Sequence, residues 1–317
     1  MPSYLKYNHL LKKSCSITEI LFVSLRHLKS NQMKLNTKFI FPTLVLTAVL
    51  TSCGGNSEED QKGKVTVEET NFESEEDDFV LPQPITMAQM FKEAGLTYVD
   101  GKTNSAENKS KYSQKIDQLL NLGVYSTDLA YCAINNKTQQ AREYLVAIQY
   151  LGSKVGLESV FSDKELINRF DKNLGDQGAM EELIYDIQDK IDSYLDDNSM
   201  RFLAAVEFAG AWTEGVYLGI DDSRKKPDEI GTTLVEQMVL LSNTIKGLKS
   251  HPAKDDKRLK EIITSFEKVL NAYNEFESVK KANANKNFEA PSLTSAEFET
   301  LATEIEKLRS SIVTPVK

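Results

Sequence analysis

Few residues in this chain have both the type and the spacing to do chemistry. Cys53 closes the small-residue stretch Leu50-Thr51-Ser52 behind a short apolar run. Histidine is scarce: beyond residue 53 only His251 remains, beside Pro252 in an expected turn, too little for a zinc site or a Ser-His-Asp machine. Asp171, Asn173 and Glu182 stand at positions one, three and twelve of a partial EF-hand pattern. Position six, where that loop needs glycine, is Asp176, and position eight, normally apolar, is Gly178. The other reading is an interhelical turn capped by Asp176, with no metal. Adjacent acids at Asp196-Asp197, Asp221-Asp222 and Asp255-Asp256 read as solvated termini or caps rather than a hydrolytic pair, which needs a defined separation in a cleft. Trp212, Tyr217, Tyr125 and Tyr131 could line a ligand groove; aromatics at helical spacing otherwise serve a core. The glycines of Glu214-Gly215-Val216-Tyr217-Leu218-Gly219 make no phosphate loop, since no Lys-Ser/Thr pair follows. No cofactor motif occurs.

The elements that would position these residues are helical. Leu234, Met238, Leu241, Ile245 and Leu248 step by four and three, as do Leu259, Ile262, Phe266, Val269, Tyr273 and Phe276. Phe298, Leu301, Ile305, Leu308 and Ile312 repeat the pattern, and so do Met180, Leu183, Ile187, Ile191 and Tyr194. Each stripe marks one helix face turned to a core, and nothing of comparable length alternates with period two. Capping boxes are expected at Thr86–Gln89, Ser162–Glu165 and Thr294–Glu297, where a hydroxyl and an acid or amide three residues on satisfy free backbone donors. The spacing predicts helices near 86–95, 107–134, 137–155, 163–173, 177–197, 199–219, 229–249, 255–281 and 294–312, with 282–291 as the last loop. Short connections favour antiparallel neighbours. The 199–219 helix is the most apolar and is expected at the centre, with Ala205, Ala209 and Gly210 allowing close approach. No 34-residue period supports a tetratricopeptide array.

Ahead of this bundle lies a targeting segment. Met33 is a better start than Met1, because Lys34 and Lys38 give a positive region, Phe39 to Leu50 a short apolar one, and small residues follow. Residues 1–32 are then an upstream extension, and the apolar run is too short for a comfortable membrane span. Leu50-Thr51-Ser52-Cys53 resembles the lipobox of bacterial lipoproteins. The resemblance implies cleavage before Cys53 by signal peptidase II and attachment of diacylglycerol and a further acyl chain such as palmitate. At ~0.8 kcal/mol per buried CH₂, two such signals hold a domain on a bilayer. Cys132, in the apolar stretch Leu129-Ala130-Tyr131-Cys132-Ala133, would then have no disulfide partner and reads as a small buried residue. Gly54-Gly55-Asn56-Ser57-Glu58-Glu59-Asp60 is similar to the acidic tag of surface-exposed lipoproteins of Bacteroidota, which implies the outer face of the outer membrane; a plain acidic linker, and the periplasmic face, is the other reading. Asn121 to Tyr131 and Gly210 to Tyr217 resemble all-helical lipoproteins of the same phylum over roughly 112–220, which implies location and fold but no activity.

Residues 53–84 carry Glu73-Ser74-Glu75-Glu76-Asp77-Asp78 and read as a disordered acidic tether. Residues 1–52 hold seven of the 38 basic residues and one of the 47 acids, so the chain from Cys53 onward carries 31 against 46, a charge of −15. That balance argues against nucleic acid, since phosphate binding needs clustered Lys and Arg. The sequence thus points to an all-α antiparallel multi-helix bundle over 85–317, tethered by lipid. Its expected role is a non-enzymatic binding or accessory module for a protein or small molecule. The alternatives are a hydrolase-like enzyme without sequence signatures and a structural envelope protein.

Overall fold

The computed structural model describes residues 84–161, 164–173, 175–225, 230–285 and 291–315. The signal segment, Cys53 with Leu50, Thr51 and Ser52, the tether up to residue 83, and Ser162 lie outside them.

The described residues form an all-α bundle with no strand. Its helices are α1 (Pro84–Glu93), α2 (Lys115–Ile134), α3 (Thr138–Val155), α4 (Glu158–Phe161), α5 (Lys164–Asn173), α6 (Gln177–Asp197), α7 (Phe202–Lys225), α8 (Ile230–Ser250), α9 (Lys257–Glu275), α10 (Glu277–Ala284) and α11 (Ser295–Val313). A short 3-10 turn, Ala106–Lys111, precedes α2.

Several ends follow local chemistry. α3 stops at Gly156, which takes φ +98°, and the Leu157 N–H then returns 2.8 Å to the Gly152 carbonyl, a glycine-terminated helix end. Asp176 caps α6 by accepting from Ala179 N, so the turn reading of the 171–182 segment holds locally. Asp256 caps α9 by accepting from Arg258 N and Leu259 N. Thr294 and Glu297 form the expected capping box of α11.

Several expected boundaries move, the end of the 199–219 helix to Lys225 among them. α1 begins at Pro84, whose fixed φ suits a first helical turn, so Thr86 lies inside the helix rather than before it. The expected 107–134 helix breaks at Tyr112–Gln114 because Tyr112 takes extended angles and turns inward. The expected 255–281 helix breaks at Phe276, which takes φ −64° and ψ 137° and buries its ring against Tyr273.

Helices α2 and α7 cross at the centre, and every larger helix packs on one of them or on its neighbours. Of the 20 residues of α2, all but Lys115, Gln118 and Ser126 are buried. A helix buried on all sides must satisfy its own polar groups inside the protein. The crossing is set by two glycines. A Cβ on Gly210 would lie 1.8 Å from the Leu120 carbonyl oxygen, and one on Gly123 would lie 1.8 Å from that of Glu207. No side chain fits either gap, so the backbones touch and Thr127 Oγ1 donates across to the Ala211 carbonyl at 3.1 Å.

Candidate functional site

One stripe of α2 is polar: Asp117, Asn121 and Asp128, at spacings of four and seven, share a face and are buried. Each meets a partner from far along the chain. Asp117 pairs with Arg258 of α9 at 2.7 Å, and Arg258 also donates to the Ser311 carbonyl at 2.7 Å. Asn121 Nδ2 donates to the Ile312 carbonyl at 3.0 Å, and the Tyr112 hydroxyl donates to that of Val313 at 3.0 Å. Buried side chains thus hold the carbonyl groups at the end of α11, which no further turn could satisfy.

Asp128 faces Glu214 of α7, and both are wholly inaccessible to solvent. Arg309 of α11 grips Glu214 with two parallel bonds, Nε at 2.9 Å and Nη2 at 3.0 Å, the strong fork geometry of a guanidinium on a carboxylate. Burial alone would lower the Arg309 pKa, but the Glu214 carboxylate outweighs it and holds the guanidinium charged. Burial first, and then the Glu214 charge, push Asp128 well above the usual carboxylate range; Arg309 and the bond from Asn104 N pull it down less. Asp128 Oδ2 accepts from Asn104 N at 3.1 Å, whereas Oδ1 meets no fixed donor. A proton on Oδ1, donated to Glu214, satisfies that oxygen. In this trio of Asp128, Glu214 and Arg309, burial and the Glu214 charge disfavour ionisation of Asp128.

An irregular strap, residues 96–105, runs over this trio and is fixed by side chains from the helices. The Tyr131 hydroxyl donates to the Thr97 carbonyl at 2.9 Å, Tyr125 donates to that of Ser105 at 2.8 Å, and Tyr144 donates to Thr103 Oγ1 at 2.6 Å. Asp222 accepts from both Thr97 N and Thr97 Oγ1 at 2.6 Å; burial pushes its carboxyl up, and these bonds bring it below its ordinary value. The strap ends in the cleft with Lys102, whose Nζ lies 2.6 Å from Asp221.

That cleft, about 450 Å³, opens between the strap and the ends of α7 and α11. Its polar wall is Lys102, Tyr217, Asp221, Glu306, Arg309 and Ser310, and Ile220, Val313 and Thr314 complete it. The Arg309 guanidinium lies 4.3 Å from the Tyr217 ring centre and Lys102 Nζ lies 5.2 Å from it. At the rim Arg224 pairs with Asp221 and Glu299 at 2.9 Å and with Glu306 at 3.4 Å.

Of the four aromatics suggested by the sequence, only Tyr217 reaches the cleft. Trp212, Tyr125 and Tyr131 belong to the core and line no groove together. Trp212 donates to the Gln237 carbonyl at 3.2 Å and packs on Phe266; Tyr125 and Tyr131 hold the strap. Burial raises the Tyr131 hydroxyl to about 12 and the Cys132 thiol to about 12, so Cys132 is the inert buried residue its setting suggested. The EF-hand-like residues do not converge. Asp171 is paired with Arg142 at 2.7 Å, Asn173 Nδ2 reaches the Ala179 carbonyl at 3.3 Å, and Glu182 is exposed on α6. Among the described residues no three His, Cys, Asp or Glu side chains gather as a metal set. His251 is buried in the turn after α8, accepting from Ala253 N through Nδ1, and burial lowers its pKa.

The adjacent acids divide. Asp255 pairs with Lys260, Asp256 is a cap, and Asp196 pairs with Arg201. Asp221 and Asp222 differ from the expected solvated terminus: α7 continues to Lys225, so both lie within its last turns and hold the strap. Sequence reasoning did not pick out Lys102, Asp128, Glu214 or Arg309. The available signal was polar residues recurring at four and seven through the otherwise apolar α2. Comparison with family models, with curated proteins and with solved structures returns no match.

Proposed function

We propose that this protein is a lipid-anchored lipoprotein of the bacterial outer membrane, exposed at the surface, whose helical domain binds a small ligand in the Tyr217 cleft. The observation that carries the binding reading is the cleft itself. Its size falls in the range of small-molecule sites, and its walls are pre-organised by the buried Arg309–Glu214 pair. The buried acids behind it do not favour hydrolysis. Asp128 and Glu214 are both wholly inaccessible to solvent, whereas a hydrolytic pair needs two carboxyl groups open to substrate in a cleft.

The anchor reading rests on the lipobox at Leu50-Thr51-Ser52-Cys53 and the acidic stretch behind it. No helix among the described residues is long and apolar enough to cross a membrane. The test is Cys53→Ala, with globomycin treatment of the parent, followed by membrane fractionation and proteolysis of intact cells. The expected outcome is membrane association in the parent, its loss in Cys53→Ala, accumulation of an uncleaved precursor under globomycin, and protease access from outside. An unmodified Cys53 still joined to upstream residues, by intact mass, removes the anchor.

A further inference from the structure

We infer that the Tyr217 cleft takes a neutral polyhydroxylated molecule, a sugar or a similar polyol, rather than an ion. This rests on the binding reading above and specifies its ligand class.

The first argument is charge. Every ionic group of the cleft already has a partner of opposite sign. Lys102 is matched by Asp221 at 2.6 Å, Arg309 by Glu214 at 2.9 Å, and Glu306 by Arg224 at 3.4 Å. An anion entering the cleft faces the Asp221 and Glu306 carboxylates and must draw Lys102 or Arg309 away from an existing pair. A cation faces Lys102 and Arg309 and finds the Tyr217 ring already engaged by both. Separating a largely desolvated pair costs more than an exposed contact returns.

The second argument is hydrogen bonding. The cleft mixes donors and acceptors at close spacing. Lys102 and Arg309 donate, Asp221 and Glu306 have lone pairs to spare, and Tyr217 offers a hydroxyl. Ser310 and Thr314 are exposed, and their hydroxyls have no partner among the described residues. A hydroxyl group is donor and acceptor at once, so a ligand made of hydroxyls can meet both kinds without carrying charge. Ile220 and Val313 supply the apolar patches against which C–H faces of such a ligand can lie.

The test is saturation-transfer-difference NMR on the detergent-solubilised full chain. The probes are cellobiose, maltose, N-acetylglucosamine and myo-inositol as neutral polyols, with citrate as anion and spermidine as cation. Transfer to at least one neutral probe is expected, with none to citrate or spermidine. Ser310→Ala combined with Thr314→Val removes two exposed hydroxyls without adding bulk, leaves the fold intact by circular dichroism, and weakens binding of that probe about tenfold in titration. Transfer to citrate or spermidine alone, abolished by the double variant, overturns the ligand class and keeps the cleft as a binding site. Neutral binding that the double variant leaves unchanged overturns the placement, and absence of transfer to all six probes removes both.

Discussion

Glu207 and Glu214 sit two turns apart on one face of α7, both are buried, and their surroundings make them opposites. Glu214 receives a guanidinium from α11, which holds both its oxygens inside the protein. Glu207 looks toward Ser126 on α2 and Asp192 on α6, with no cation among them, and its Oε1 has no partner. Burial, and then Asp192, raise its pKa to about 8, against a smaller pull from Ser126. At neutral pH Glu207 is therefore mostly an uncharged acid. Residue type and helix position are shared; what differs is whether a distant segment delivers a positive charge. The Gly123–Gly210 contact lies between the two acids.

The largest way to break this contrast is Arg309→Met, which strips Glu214 of its counter-charge. Unfolding in urea should show a loss of about 3–5 kcal/mol, because the remaining charge has no water to turn to. Adding Glu214→Gln to the same chain should restore more than half of that loss. A cost below about 1 kcal/mol for Arg309→Met would mean that the fork contributes no more than an exposed ion pair.

A smaller effect is expected from Glu207→Gln, read as pH dependence. The folded pKa of about 8 lies above the ordinary 4.5. The native state therefore keeps a proton that the unfolded chain has released. The associated stability is complete below pH 4.5 and is lost as pH rises to about 8. Within that window the slope for one proton is about 1.4 kcal/mol per pH unit. Chemical denaturation of wild type and Glu207→Gln from pH 5 to 9 should show the variant flatter by about one proton. Parallel curves would place the titration elsewhere.

The smallest effect should come from Asp128→Asn. Asp128 is already uncharged, and an amide can accept from Asn104 N while donating to Glu214. The expected cost is under about 1 kcal/mol at pH 7 by urea unfolding. A gain in stability would instead show that Asp128 is ionised, since Asn would then relieve its repulsion with Glu214.

The two glutamates also explain what could be read from the sequence. Helix stripes such as Leu259, Ile262, Phe266 and Val269 are local, and the structure puts each of them in the core. The Thr294–Glu297 box and the Asp176 cap are equally local and appear as expected. Gly210 could be read as a close-approach residue, whereas its counterpart Gly123 could not, because the need for it lies on the other helix. Arg309 reaches Glu214 across 95 positions, and Asn121 meets Ile312 across 191. No spacing rule spans such distances. The strap escaped notice for a related reason: its order comes from Tyr125 and Tyr131, which read as groove or core aromatics until their hydroxyls are seen to hold backbone, and from Tyr144, which no pattern marked. Tyr217 alone among the suggested aromatics reaches the cleft; Trp212 faces α8 and α9, where it meets the Gln237 carbonyl and Phe266.

The grip of Asp117, Asn121 and Tyr112 on the end of α11 has a consequence for how the chain assembles. Helix α2 cannot complete its own surroundings until residues as far as 191 positions later in the chain arrive, so native contacts of very high sequence separation close the structure. Such topologies fold slowly for their size. Until Arg309 docks, Glu214 has no counter-charge in the core, and the central helices stay loosely joined and hydrated. Loss of even the final helical turn would leave every earlier segment present and the interior unfinished.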